Sequence, residues 1–453
     1  MGYKIFFTLL LIIINMNVVY GAVWNGSLIN VYTDSSGAGN IDLPFKTYLL
    51  GNALIVSASS GDSITILNVS NPASITVIST TTSSAGVGTL DGARDFSIDD
   101  RNLLYISASV DNSFSIYNIT KISSLTAIST YTISNPPFSL ANAWGCQVEK
   151  RGTDYYLYVT SFNNDSISVF NVTNPLAITN MSNYTNSANP CSVDGATNVI
   201  LDTVNMFAFV TSEDDNTITT FNISNPKAIT CLSSYSDTSS PYSIEWAPID
   251  GYNTFMYNNY MFTAGYTDNE FAIFSINSTG GLEGVGSYVN ATKGAVNSLL
   301  LASSVFVYND IAYVSRTGNR TATVTDGGVT VFNVSNKTNP VYVGQFNGTS
   351  GACLQKFSKF PMVVDNTTLY SISSNDDCLY IARSFNAQTI TNQCIYSGSG
   401  DFNQTDTTCN ITSNVVISGG NWNFKNSTVW CNSTVTGGNQ WHWYSGVLRF
   451  FKW

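Results

Sequence analysis

A pattern of about fifty residues recurs along the chain: an apolar strand, a polar turn, a second alternating strand, then Asn-Val/Ile-Ser/Thr-Asn-Pro and a further short strand. A repeat at a fixed period constrains a fold more than any single motif, because each copy can bury its apolar faces only against its neighbours. Four copies are clear, at residues 54–80, 103–130, 157–183 and 207–234, and the Asn ahead of the second turn falls at Asn68, Asn118, Asn171 and Asn222. A fifth copy, 260–287, has Ser275 in that place; a sixth, 311–345, restores it at Asn333; a degraded seventh runs over 369–389.

Within each copy the apolar residues alternate, as in Ser63-Ile64-Thr65-Ile66-Leu67, and Gly, Asp and Asn bound the runs, which reads as strands and turns. Helical periodicity is absent. Four short strands per copy make the blade of a propeller, whereas the coils of a β-solenoid are shorter, about 20 to 30 residues. The expected fold is therefore all-β: a seven-bladed β-propeller over residues 22–390, with a small C-terminal disulfide-held β appendage over 391–453. An open last blade would expose unpaired backbone groups. The apolar run Ser27-Leu28-Ile29-Asn30-Val31-Tyr32, which lies ahead of the first full copy, is expected to complete it.

Leu157-Tyr158-Val159-Thr160 and Asn171-Val172-Thr173-Asn174-Pro175 resemble the extracellular propeller repeats called LVIVD and YVTN, and the likeness extends over roughly residues 45–390. The resemblance implies the propeller fold. It is weak for function, since such propellers serve as surface proteins, adhesion modules and, in lactonase-like folds, enzymes.

Residues 1–21 carry Lys4, an apolar run from Ile5 to Ile14 and the short ending Val19-Tyr20-Gly21, the pattern of a secretory signal peptide. The apolar run is too short to span a bilayer, so no membrane span is expected after cleavage and the chain is read as secreted or displayed at an extracellular surface. Charged residues are 10% of the chain and the net charge is −11, which offers no basic footprint for nucleic acid.

Eight cysteines behind a signal peptide read as disulfides rather than a metal site, because there is one histidine, His442, and no CxxC pair. Cys146 and Cys191 share an offset in adjacent copies, which would pair them near the axis; Cys353 shares it too, so the connectivity stays open. Cys378, Cys394, Cys409 and Cys431 are expected to tie the seventh blade to the tail, and Cys231 has no evident partner. About nineteen Asn-x-Ser/Thr sequons follow the signal peptide, among them Asn25, Asn68, Asn118, Asn171, Asn222, Asn277 and Asn333.

Aligning the segments where the chain enters each innermost strand sets Asp99, Glu149, Asp194 and Glu245 at one offset in four successive copies. Such a partial acidic ring would suit a calcium ion, the one cofactor the residues suggest; the plainer reading is that these acids cap strand ends. The sequon-bearing turns would then open on the face opposite the acids. On the acid-bearing face the loops 83–94, 135–145 and 237–242 carry no sequon but hold Phe138, Trp144 and Tyr242, a candidate binding surface. Trp422, Trp430, Trp441 and Trp443 give the tail either a small core or exposed contact rings.

Catalysis is hard to build without a histidine in the propeller or a phosphate loop. The leading expectation is a secreted or surface-displayed N-glycosylated interaction or adhesion module for an extracellular protein or glycan. The alternatives are a lactonase-like metal-dependent hydrolase with its site in the channel, and a self-assembling structural subunit of an extracellular filament or virion coat.

Overall fold

The computed structural model describes residues 24–25, 28–33, 40–84, 86–132, 140–186, 191–236, 242, 254–290, 299–316, 327–347, 362–365, 367–373 and 377–384, and the backbone of six strands between 402 and 450. The signal-peptide expectation over 1–21, together with Phe138, Glu245, Cys353 and Cys394, lies outside the described residues.

Alternating apolar residues fold into seven sheets, each built on four antiparallel strands ordered from the axis outward. The innermost strands are Pro44–Leu50, Ala93–Ile98, Ala143–Arg151, Ala196–Asp202, Thr254–Tyr257, Ala302–Tyr308 and Met362–Val364. Blades one to six are continuous in sequence. The outermost strand of blade seven is Leu28–Thr33, paired antiparallel with Cys378–Arg383 in the register Thr33↔Cys378. Just before it, Trp24–Asn25 runs parallel to the outer strand of blade six, Val341–Asn347. The start of the chain thus covers two outer edges, and the ring is closed by strand pairing.

Period-two alternation becomes packing between blades. In the second strand of blade one, Ala53–Ala58, Leu54 and Val56 join Tyr370, Ile372 and Leu379 of blade seven, while Ala53 and Ile55 join Leu104, Ile106 and Tyr117 of blade two. Both faces of the strand are therefore buried, and it reads as the near-continuous apolar run Leu54-Ile55-Val56. One such cluster occupies each interface among the described residues, from blades one and two round to seven and one.

Each innermost strand begins at what we term the leading end of the propeller and finishes at the trailing end. At the leading end, one hydrogen bond recurs between neighbouring blades. An Asp or Asn in the hairpin between strands two and three, itself at positive φ, accepts from the backbone N–H of a residue at positive φ just ahead of the next innermost strand. The pairs are Asp62 to Gly92, Asn112 to Asn142, Asp165 to Gly195, Asn269 to Leu301 and, closing the ring, Asp377 to Leu43, at 2.7–2.9 Å. Asx side chains tolerate the left-handed region, whereas Leu43 and Leu301 are held there against their preference.

A disulfide joins Cys191, ahead of the innermost strand of blade four, to Cys231 in the outermost strand of the same blade, with Cα atoms 6.2 Å apart. This corrects the expected Cys146–Cys191 pairing. Cys146 lies inside the strand Ala143–Arg151, is fully buried and is free, whereas Cys191 lies five residues ahead of its own strand, Ala196–Asp202. Equal offsets in sequence were unequal positions in the blade. The fully described disulfide belongs to the propeller and not to the tail; Cys378 is also disulfide-bonded.

The tail is a separate unit spanning Thr389–Trp453 together with Met1–Val23. Its strands pair in parallel: Phe402–Thr405 and Thr408–Ile411 with Asn421–Cys431, in the registers Phe402↔Trp422 and Thr408↔Thr428. Val415–Ile417 pairs with Val435–Gly437 at the same spacing, and Asn421–Cys431 pairs with Gln440–Phe450. Parallel neighbours about twenty positions apart are the signature of solenoid coils. Val415–Ile417 and Asn421–Cys431, on either side of Gly419-Gly420, belong to different sheets. The side chains of Cys409 and Cys431 lie outside the described residues.

Candidate functional site

The seven innermost strands surround a central channel of about 610 Å3. One residue of each strand occupies the same register in its wall: Tyr48, Ser97, Gln147, Ile200, Phe255, Phe306 and Val363. Behind this ring, at the paired position of the second strand, stand Ile55, Tyr105, Tyr158, Phe209, Phe262, Tyr313 and Tyr370, all buried. The large rings behind the wall hold the first strands in place. The lining is two-sided. Ile200, Phe255, Phe306, Val363 and Tyr48 form an apolar arc, in which the rings of Phe255 and Phe306 lie 4.8 Å apart. Ser97 and Gln147 form a polar arc that Asn198 and Lys46 extend toward the leading end.

Lys46 is the one charged residue among the described residues that line the channel. Its ammonium donates to Oδ1 of the fully buried Asp95, at 2.6 Å. The other oxygen of Asp95 accepts from the Cys146 N–H at 2.9 Å and from the Gln147 amide at 3.4 Å. The chain Lys46–Asp95–Gln147 therefore links blades one, two and three along the polar arc. A buried carboxylate with this many donors is a satisfied structural anion. Burial, and then Asp95 itself, push the nearby Cys146 thiol well above its usual range, so it stays protonated and inert.

The four acids aligned in the sequence do not converge. Asp99 and Glu149 stand at the trailing end, Asp194 at the leading end, and Glu245 outside the described residues. The blade-four residue in the position of Asp99 and Glu149 is Asp202, which caps the following turn through the backbone N–H groups of Val204 and Asn205, both at 3.0 Å. Asp99 is ion-paired with Arg101 at 2.7 Å and accepts from the Tyr105 hydroxyl at 3.0 Å. Arg101 reaches into blade three, where it donates to the Thr173 carbonyl at 2.8 Å and stacks on the Tyr155 ring at 3.6 Å. Blade three repeats the device with Glu149, Arg151 and Tyr158, and Arg151 donates to the Ser224 carbonyl of blade four at 3.1 Å. These acids hold Arg side chains that staple one blade to the next, and burial raises the Tyr105 and Tyr158 hydroxyls far above their usual range.

Asp194 keeps different company. Its N–H donates to Asp215 at 2.9 Å, and the next residue, Gly195, donates to Asp165. Burial, and then the facing carboxylates of Asp165, Asp215 and Asp214, raise Asp194 to about 6. Asp91 is raised for the same causes, with Asp62 and Asp111 as its neighbours. Among the described residues no group of three or more His, Cys, Asp or Glu side chains has the arrangement of a metal site.

The expected binding surface is also revised. Trp144 is 4% exposed. The Arg94 guanidinium lies against its ring at 3.9 Å and against that of Phe45 at 4.3 Å, the two rings standing edge to face, its other neighbour is Phe162, and its N–H donates to Asn142. It clamps blades one to three at the leading end. Tyr242 is half-buried, its ring packed near Phe274 and over Gly284, where a Cβ would come within 2.6 Å of it. The sequon-bearing Asn68, Asn118, Asn171, Asn222 and Asn333 close the third strands at the trailing end, the same end as Asp99 and Glu149. The expected opposition of sequons and acids therefore fails for these two acids. The channel's polar arc was missed because Ser97, Gln147 and Asn198 have no motif. Their common signal is position on the first strand, which needs correct strand bounds.

No protein-family model matches the chain, and no curated protein matches it. Solved structures of similar shape do. A catalytically inactive virginiamycin B lyase from Staphylococcus aureus with quinupristin aligns at a TM-score of 0.52 and 13% identity, covering 79% of this chain and 99% of that one. The periplasmic gluconolactonase of Pseudomonas aeruginosa aligns at 0.52 and 12%, covering 67% and 85%. At this identity the likeness is one of fold: the chain is a seven-bladed propeller of the architecture that these lyase and lactonase structures share.

Proposed function

We propose that the protein is a secreted or surface-displayed binding module that takes an extracellular protein or glycan at the channel. The observation that carries this reading is the two-sided lining. An aromatic and aliphatic arc facing amide and hydroxyl groups suits an aromatic side chain or a sugar ring, which stacks on Phe255 and Phe306 while its polar edge meets Ser97, Gln147 and Asn198. The volume lies within the usual range of a small-ligand site, about 300–1,000 Å3. The hydrolase alternative draws on the lactonase and lyase of the same fold. It loses support because Asp99 and Glu149, two of its candidate ligands, are occupied by Arg101 and Arg151.

The test is direct. The purified mature protein is screened against a panel of immobilised oligosaccharides and aromatic-rich peptides, and hits are repeated with Phe306→Ala and Gln147→Ala. Loss of binding by about tenfold or more in both variants is expected, corresponding to roughly 1.4 kcal/mol. Binding that both variants retain places the ligand elsewhere and sinks the channel reading. Calcium-dependent hydrolysis of a lactone panel would favour the alternative.

A further inference from the structure

We infer that the trailing end of the propeller carries a crown of six N-linked glycans, on Asn68, Asn118, Asn171, Asn222, Asn277 and Asn333. The inference rests on the secreted reading above and adds to it where the sugars sit.

The structure changes what the repeat alone suggested. By repeat position alone blade five lacks the site, because Ser275 stands where other blades have Asn. In the folded chain Asn277-Ser278-Thr279 lies in the turn that follows, between the third strand Glu270–Ile276 and the outermost strand Leu282–Val289. Blade seven has no such turn, since its outermost strand comes from the start of the chain. Each blade whose third and outermost strands are joined by a turn thus carries a sequon in that turn.

All six sites share one geometry. The Asn Oδ1 accepts from the backbone N–H two residues on, Ser70, Thr120, Thr173, Ser224, Thr279 or Ser335, at 2.8–3.0 Å. In five blades the residue between is buried, and its N–H is tied to a carbonyl beneath: Val69 to Asn52, Ile119 to Asn102, Val172 to Tyr155, Ile223 to Met206 and Val334 to Asp310. The backbone is fixed while the Asn stands outward. Asn118 and Asn277 are exposed and the other four half-buried. Sugars at these positions project from the trailing end without displacing a packed residue.

Turn chemistry alone would explain Asn-x-Ser/Thr in five similar turns. Blade five reaches the same Asx contact from a differently built turn, with Gly280 at φ 82° and Asn277 Oδ1 also accepting from the Thr279 hydroxyl and the Gly281 N–H, both at 2.8 Å. There the sequon has moved two residues and stayed at the trailing end.

The modification bonds Asn Nδ2 to C1 of a sugar delivered by a phosphate-activated oligosaccharide donor. The C1–O bond to the phosphate breaks, the phosphate leaves with the electron pair, and Nδ2 gives up one proton. The carbonyl stays engaged in the turn.

The experiment separates sugar from turn. Ser70→Ala, Thr120→Ala, Ser224→Ala and Ser335→Ala destroy the sequon yet keep the turn, which uses only the backbone N–H. The protein secreted by its own host cells is weighed intact, and the sites are mapped after enzymatic release of N-glycans. Each variant is expected to lose the mass of one glycan with its denaturation midpoint unchanged. A secreted chain whose sugars lie only on other sequons, such as Asn164 and Asn180, overturns the crown and leaves the secreted reading standing. A chain kept inside the cell without sugar overturns both.

Discussion

The two ends of the propeller solve the same problem, fastening one blade to the next, with different chemistry. At the leading end a short Asx side chain reaches a backbone N–H of the following blade at all five fully described junctions. At the trailing end, among the described residues, the junctions from blade two to three and from three to four use a long Arg arm, which a buried carboxylate and a Tyr hydroxyl hold. The leading-end latch recurs because it uses backbone geometry that every blade shares. The staple depends on three side chains arriving together, so it appears where the sequence happens to supply them.

The comparison is broken most severely by removing one arm of a staple. Arg151→Met leaves Glu149, whose side chain is 1% exposed, buried without its counter-ion. Removing one partner of a buried pair costs about 3–5 kcal/mol, an effect read as a lowered midpoint in chemical denaturation. A smaller loss than about 1 kcal/mol would show that the staple is dispensable. Next, Cys231→Ser opens the loop of 40 residues closed with Cys191. The chain-entropy model assigns such a loop about 4 kcal/mol, and measured losses are typically 2–4 kcal/mol. Under reducing conditions, which also open the disulfide at Cys378, the midpoints of the parent and the variant should coincide.

The latch is the weaker element one junction at a time. Asp377→Ala removes the acceptor for the Leu43 N–H where blade seven meets blade one, and an unsatisfied backbone donor costs about 1–3 kcal/mol. Since Leu43 is held at φ 49°, amide exchange of Leu43 should rise in this variant while that of Leu301 does not. A rise at both sites would mean that the latches act as one cooperative ring.

The smallest effect is one of pH. Asp194 is raised from 3.8 to about 6 in the folded protein, so the folded state holds this proton more tightly than the unfolded chain. Its contribution to stability is present in full below about pH 4 and is lost as pH rises toward 6 and beyond. Asp194→Asn should flatten this part of the pH profile and raise the melting temperature slightly at pH 7 relative to the parent, with no gain at pH 4. An equal shift at both values would place the cause outside the carboxylate cluster.

Much of the fold was legible because it rests on local alternation. The apolar run Leu54-Ile55-Val56 and the turns after Asn68 and Asn118 are written within single copies, and seven such copies make seven blades. The site was less legible. Asp194 and Cys191 were aligned with Glu149 and Cys146 by counting residues, but the segments ahead of the innermost strands differ in length. The true counterpart of Glu149 in blade four is Asp202, eight positions further on. Trp144 read as a contact ring because it follows a loop. Only the neighbouring Phe45 and Arg94, from two other blades, show it to be a clamp.

The sequence by itself determined the strand pattern, the number of blades and the sequon in five of the six third-to-outermost turns, since each depends on residues within one copy. The tertiary structure alone decided which end of the blade each acid occupies, that Cys191 finds Cys231, that Asn277 replaces the missing Asn of blade five, and that parallel rungs make the tail. These depend on how strands separated by loops of unequal length come into register, and hydrogen bonding and packing between blades set that register where local alternation is silent.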